Sequence, residues 1–396
     1  MTDRKIEDFS VFWKQKPSYN FNHGSFGATP QVILDRQAAW EASFNADREY
    51  FYHHDIPEAL GRSKAIVAQF VGASIDDLVF VDNATDAMNT VIKSLALGAG
   101  DDVVITSFIY GPFDTLLQEI SRRNKFNVIK AVLPYPPQSD EDLIDPVLTA
   151  VTPATRLVII DHISSPTGII MPVKKIVAAL NKRGIDCFVD GAHAPGQIPV
   201  NVTDIGAAYY TANHHKWICA PIASGFLHVR KDRQDPIMPA VGSSLAGQNT
   251  PFARRFDWIG TKGTSSAVMV GETIDYMGSL HPQGWAGIYK RNHEVTMAAR
   301  DLIMNRLDCD DTYPEHMIGN MLTIRIKDMC FPPEIEQLPP SYRLYELMVK
   351  EFGFGPYAMP SDGSYLLRLS VPLYLNLPDF EVLAEALQSV IVRYGK

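Results

Sequence analysis

Two residues pose the chemical question. Asp190 ends the apolar run "IDCFVDGA", and Lys216 stands 26 residues further on, in "NHHKW". A carboxylate at the end of a hydrophobic strand is partly stripped of water and needs a cation or donors. A lysine against an apolar wall loses its charge readily, and a neutral amine can bond a carbonyl carbon. A third feature is "NATDAMN", residues 83–89, where small and hydroxyl residues open a helix. Free N–H groups and the helix dipole at such a start suit an anion, most simply a phosphate. Alone, each has a plainer reading: a capping Asn83 or Thr85, a turn aspartate, a surface lysine. Together they are what pyridoxal 5′-phosphate requires: a lysine for its aldehyde, a carboxylate for its protonated ring nitrogen, and a cup for its phosphate.

The elements that must position these residues follow a strand, loop, helix rhythm. "DLVFVDN", "DDVVITSFIY", "FNVIKAVLP", "TRLVIIDHI" and "IDCFVDGA" read as strands. Helices are expected over 31–45, 57–70, "ATDAMNTVIKSLAL", "GPFDTLLQEISRRN" and "VKKIVAALNKRG", the last ending on Gly184. Apolar runs without alternation, joined by helices, imply a parallel sheet covered on both faces. Ligands of such sheets sit beyond the carboxyl ends of the strands. The residues there are Asn83 to Asp86, Tyr110, Ser164-Ser165, Asp190 to His193, and Asn213 to Lys216. From about Trp258 the pattern changes to two long helices, "NMLTIRIK", a helix near "SYRLYELMVKEFG", the strand "SYLLRLSV" and a final helix from Pro378. The expected division is an arm over 1–20, a large domain over 21–257 and a smaller α+β domain over 258–396.

Composition narrows the class. The chain has 396 residues, 46% of them hydrophobic and 20% charged, as in a globular protein. A net charge of −9, with no basic block, argues against nucleic acid as a partner. No apolar run reaches membrane-spanning length, and the N-terminus lacks a signal-peptide core, so a cytoplasmic protein with no membrane partner is expected. Cys187, Cys219, Cys309 and Cys330 form no C-x-x-C pair and read as reduced thiols. His53-His54 has no third ligand in sequence, so no metal is expected. Arg48 is open between guarding a substrate entrance and standing in solvent.

The motifs "NHGSFG", "NATDAMN", "SSPTG", "VDGAHAPG" and "NHHKW", spread from Phe21 to "LRLSVPLYLNLPDF", resemble those of the fold-type I pyridoxal-phosphate enzymes. Within that group the chain is similar to the class V aminotransferases, isopenicillin N epimerase-like branch. The resemblance implies an α/β large domain with a mostly parallel, seven-stranded-type sheet sandwiched by helices, plus the smaller α+β domain. It implies that Lys216 bonds the cofactor, Asp190 pairs with its ring nitrogen, and His193 and Ser165 lie near its phenolic oxygen. It assigns the phosphate cup to Ala84 and Thr85, with Asn213 and His215 as side-chain donors. It places Tyr110 over the ring and Arg368 on the α-carboxylate of an amino-acid substrate. Gly260-Thr261 resembles a segment that reaches the neighbouring subunit's phosphate, which implies a homodimer with shared sites. His214 has no task in this scheme.

The reaction is less constrained. A cysteine desulfurase needs a nucleophilic cysteine on a mobile late loop, and Cys330 follows a strand without such a loop. An epimerase or transaminase of the isopenicillin N epimerase-like type is the favoured expectation. β-Elimination of a sulfur-linked group and decarboxylation are the alternatives. All use Lys216 as the base at the α-carbon, with Tyr110 as a second acid or base. Presence of both Lys216 and Asp190 argues against a non-catalytic amino-acid binder.

Overall fold

The computed structural model describes residues 8–13, 19–242, 245, 249–309 and 313–396; most of the arm expected over 1–20 lies outside them. The strands are β1 (Leu78–Val81), β2 (Asp102–Thr106), β3 (Asn127–Ala131), β4 (Thr155–Asp161), β5 (Asp186–Asp190), β6 (Tyr209–Asn213), β7 (Gly225–Val229), β8 (Met321–Lys327), β9 (Tyr357–Ser361) and β10 (Ser364–Ser370). Among the described residues, the first seven form one sheet in the order β1-β7-β6-β5-β4-β2-β3. Only β7 runs against its neighbours, β1 and β6, so the sheet is mostly parallel as expected. The last three strands form a small antiparallel sheet, β8-β10-β9.

Both faces of the large sheet are buried, which is why its strands read as continuous apolar runs. Val104, Val158, Ile160 and Val189 pack on one face, and Val103, Ile105, Leu157, Ile159 and Phe188 on the other. Helix Ala84–Ser94 covers the second face through Ala87, Met88, Val91 and Ile92. The first face merges with the small sheet through Leu322, Ile324, Leu367 and Leu369. That continuity presses the small sheet against the large one on the side where the site lies.

Three elements go beyond the sequence expectations. Helix Asp140–Thr149 is started by a capping box, Ser139 with Asp142, inside a Pro-rich stretch and with Pro146 in its interior. β6 and β7 flank the turn that carries Lys216. No helix among the described residues is long and apolar enough to cross a membrane.

Candidate active site

The carboxyl ends of β1, β2, β4, β5 and β6 deliver the site. β6 ends at Asn213, and the chain then turns back into β7. The turn is closed by His214 N–H to the Ser224 carbonyl at 3.0 Å and Ala220 N–H to the His214 carbonyl at 3.1 Å. Cys219 and Ala223 hold left-handed φ angles of 65° and 69°, an unfavourable backbone that the surrounding packing must enforce. This tight turn holds Lys216 on the rim, half-buried, with Nζ 2.9 Å from His193 Nε2. The loop "NHGSFG" packs over the same turn: Gly27 N–H bonds the His215 carbonyl at 3.0 Å. A Cβ on Gly27 would lie 2.1 Å from the Lys216 carbonyl oxygen, so only glycine permits this approach.

Asp190 is 4% exposed, and its Oδ1 accepts the Ala192 N–H at 2.9 Å. Burial raises its pKa; that bond and the charge of Lys216 pull it back. Burial conversely brings the Lys216 pKa down to about 8, against the opposing pull of Asp190. The rate at which cofactor-free protein bonds the aldehyde of pyridoxal phosphate should therefore rise through about pH 8. It should not wait for the pH near 10.5 that an ordinary lysine needs. A stopped-flow pH series on the cofactor-free protein reads this directly, and a rate still climbing steeply at pH 10 would contradict it.

The helix start after β1 is arranged as a partly open cup. Asn83 caps it, its Oδ1 accepting the Asp86 N–H at 2.9 Å. Asn213 Oδ1 takes the Ala84 N–H at 2.9 Å, tying this helix to the end of β6. Asn213 is thus first a structural tie, with its amide N–H groups left as donors. Thr85 is exposed at the second position of the helix, where an N–H has no intrahelical acceptor. Gly225 lets Asn83 come close: a Cβ there would sit 2.7 Å from the Ala212 carbonyl and 3.1 Å from Asn83 Cα.

The remaining expected residues fall as follows. Ser165 is half-buried on the loop after β4, and Tyr110, 38% exposed, opens helix Gly111–Asn124. The Tyr110 phenol is held above its ordinary pKa by burial first, then by Asp190, Tyr357 and Tyr342. His215 lies beside Lys216, its pKa brought down to about 4 by burial and by that lysine. His214 points away into the core, where its Nδ1 bonds Ser224 Oγ at 2.8 Å and its ring stacks on Phe226. Thr261 is exposed, and its neighbour Lys262 pairs with Asp82 at 2.8 Å, beside the cup. Arg48 and His53 are exposed and bond locally, to Asn45 and Glu49.

Arg368 lies in the middle of β10, 2% exposed. Its Nη1 donates to the Ser165 carbonyl at 2.5 Å; its Nη2 donates to Asn22 Oδ1 at 2.7 Å and Ser25 Oγ at 2.8 Å. Its Nε has no partner among the described residues. Cys330 is exposed beyond the far end of β8, while Thr323 of that strand is the register partner of Arg368. Lys327, the last residue of β8, is four residue steps from Thr323, about 13 Å along the strand, and Cys330 follows it in the chain.

Sequence reasoning passed over Asn22, Ser25, Tyr357 and Asp161. Asp161 ends β4 in direct register with Asp190 and is 3% exposed, with Oδ2 unpartnered among the described residues. Its pKa is raised well above the usual carboxylate value, by burial first and then by Asp190. The signal was present: Asp161 closes "RLVIID" as Asp190 closes "DCFVD".

These residues fit pyridoxal phosphate. A lysine amine of low proton affinity, a desolvated carboxylate and an open helix start share one rim, and buried His193 Nδ1 has no protein partner among the described residues. Comparison with known proteins agrees. The class-V aminotransferase model matches residues 18–330. A putative L-cysteine desulfhydrase of Oryza sativa subsp. japonica is 31% identical over 93% of this chain and 82% of its own. The isopenicillin N epimerase of Streptomyces clavuligerus is 28% identical over 94% of each chain. The solved structure of the cystine C–S lyase C-DES shares the fold, with a TM-score of 0.79 at 17% identity over 94% of this chain and 98% of that one. With that match over most of its length and this constellation on its rim, the chain belongs to the class-V aminotransferase family and is an enzyme whose cofactor is pyridoxal 5′-phosphate.

Proposed function

We propose that the enzyme is a β-eliminating C–S lyase acting on a cysteine-type amino acid. The observation that carries this reading is the pairing of one base with one acid. Lys216 supplies an amine of low proton affinity, and Tyr110 a phenol held protonated by burial and by the field of Asp190. An epimerase, the reading the sequence favours, needs a second group able to take the α-proton on the face opposite Lys216. At neutral pH such a phenol carries its proton, so it has one to give and cannot take the α-proton. The names of the rice relative and of the C-DES structure point the same way. The Streptomyces relative supports epimerisation as the second reading.

The cofactor, when bound, supplies an electron sink that acidifies the substrate α-carbon. In the proposed sequence Arg368, on β10, holds the α-carboxylate, which fixes the α-hydrogen toward Lys216. Lys216 Nζ takes that proton as the Cα–H bond breaks. The Cβ–S bond then breaks with its electron pair going to sulfur, and Tyr110 gives the sulfur a proton. The released enamine hydrolyses to pyruvate and ammonia. Asp190 would pair with the cofactor's ring nitrogen and Thr85 with His215 would hold its phosphate, while His193 holds the lysine side chain in place through its 2.9 Å contact. We also infer a homodimer in which Gly260-Thr261 faces the partner's phosphate; the exposure of Thr261 beside the cup supports it, and sedimentation tests it.

The test is a panel of amino acids and cysteine S-conjugates in deuterated water, read by mass spectrometry. Pyruvate and a free thiol from an S-conjugate establish elimination. α-Deuteration with inverted configuration and no pyruvate would replace this reading with epimerisation, and a keto acid that retains the side chain would replace it with transamination. Tyr110→Phe is expected to slow pyruvate release by about 10²-fold while α-hydrogen exchange continues. Equal loss of both would show that Tyr110 positions the substrate and does not protonate sulfur.

A further inference from the structure

Among the described residues, Arg368 is a buried cation without a counter-ion. The acceptors that hold it, the Ser165 carbonyl, Asn22 Oδ1 and Ser25 Oγ, are all neutral, and no carboxylate pairs with it among the described residues. Burial brings its pKa down to about 10. A buried guanidinium with only neutral acceptors is costly unless something offsets its lost hydration. The offset is an aromatic face. Tyr357 is the direct cross-strand partner of Arg368 in the β9–β10 pair, and Arg368 Cζ lies 4.4 Å from the centroid of its ring. The ring's negative face attracts the cation from above its plane.

That direction matters. An acidic residue would bind in the guanidinium plane, occupy its N–H groups and neutralise it. The ring carries no net charge, so it attracts the cation without neutralising it. Of the five N–H donors of the guanidinium, the three neutral acceptors engage three, two of them on Nη2; the Nε–H and one Nη1–H remain, on different edges, so an incoming carboxylate can take one of them. We propose that Tyr357 is a positioning residue for substrate recognition: its ring holds the Arg368 guanidinium in position and charged, in place of an acid, so that the charge is kept for the substrate α-carboxylate. The inference rests on the reading of Arg368 as the carboxylate-binding residue. It assigns Tyr357 a part in binding that neither its own chemistry nor its position in sequence suggests. The ring is what the role requires; the hydroxyl is not.

The experiment uses the holoenzyme and a matched pair of amines, L-serine and ethanolamine, which differ by the α-carboxylate. Binding of each is followed by the cofactor's visible absorbance. In wild type, serine should bind more tightly than ethanolamine. Tyr357→Leu should weaken serine by about ten-fold, the scale of one cation–aromatic contact, and leave ethanolamine unchanged. It should likewise raise KM for the amino-acid substrate with little change in kcat. Tyr357→Phe keeps the ring and should behave as wild type. Equal weakening of both ligands by Tyr357→Leu, or equal loss in Phe and Leu variants, overturns the proposal. Arg368→Met separates the two levels: if it leaves the serine-to-ethanolamine preference intact, the assignment of Arg368 fails. If it abolishes that preference while Tyr357→Leu does not, the role of Tyr357 alone fails. Should the Leu variant not fold, Tyr357→Trp, which keeps an aromatic face, paired with Tyr357→Met carries the same comparison.

Discussion

Lys216→Ala should lower turnover by about 10⁴-fold, the upper range for removing a positioned acid–base group. The reason lies in what no neighbour can replace. His193 is the closest basic group, with Nε2 2.9 Å from the lysine amine, but burial and the surrounding positive charges hold its pKa well below normal. A ring of such low basicity is a poor proton acceptor. His215 is depressed for the same reasons, to about 4. The variant should also lose its covalent hold on the cofactor: borohydride treatment followed by mass spectrometry should fix pyridoxal phosphate to the wild-type chain and not to the variant. The cup at Thr85 and the carboxylate of Asp190 should still retain it non-covalently. A small primary amine added to the solution should restore part of the turnover, since it can fill the space left by the side chain and accept the proton. Turnover within ten-fold of wild type, or borohydride fixation in the alanine variant, would refute the role given to Lys216.

Why some of this was legible in the sequence, and some not, follows from how far each contact reaches. Asp190, His193, Asn213 and Lys216 each follow a strand of the same parallel sheet, so a local rule places them on one rim. Helix Gly111–Asn124 matches its expected span because the Gly-Pro start and the polar end are both local signals. The helix at Asp140–Thr149 escaped notice because its Pro-rich approach and internal Pro146 are loop signals. The capping box that starts it outweighs them. Asn22 and Ser25 could not be found in this way. They reach Arg368 across 346 and 343 residues, through the docking of the small sheet on the N-terminal loop. Tyr357 is closer in sequence, yet its meaning depends on a strand pairing that spacing does not disclose. Asp161 is the instructive case, since the rule applied to Asp190 would have found it. A carboxylate closing an apolar strand is a local signal, and its register with Asp190 is then fixed by the parallel pairing of β4 and β5.

The doubled histidine shows the same division between local and tertiary information. In the turn after β6, His214 and His215 face different surroundings. His214 enters the core against Phe226 and Phe80, where its neutral ring fills space and bonds Ser224. His215 stays half-buried at the mouth, beside the lysine. The sequence separates the two questions; the strand that ends at Asn213 decides which histidine answers each.

Asp190→Asn should lower turnover by about 10² to 10³-fold, the range for losing one preorganised electrostatic contact, while leaving most of the cofactor bound. The asparagine is isosteric but cannot stabilise a protonated ring nitrogen, so the ring takes up less charge from the substrate α-carbon. Lys216 and the cup are untouched, which is why occupancy should change less than rate. A second consequence separates charge from shape. The folded-state pKa of Asp190 is raised above its unfolded value, chiefly by burial. The folded protein therefore binds more protons than the unfolded chain over that interval, and stability falls as pH rises through it. In the cofactor-free protein, Asp190 should thus cost stability above its raised pKa. Asp161 adds a cost of the same sign, since it too is raised, partly by Asp190. Cofactor-free Asp190→Asn should lose less Tm than wild type as pH rises above the ordinary carboxylate range, because one buried charge is gone and Asp161 can ionise without a like-charged neighbour. Binding of the cofactor should narrow the difference by giving the wild-type carboxylate a cationic partner. Thermal unfolding of both proteins, with and without cofactor, across that pH range provides the measurement. A variant as active as wild type would refute the pairing with the ring nitrogen. A variant whose Tm falls with pH as steeply as that of the wild type would refute the electrostatic account of the buried pair.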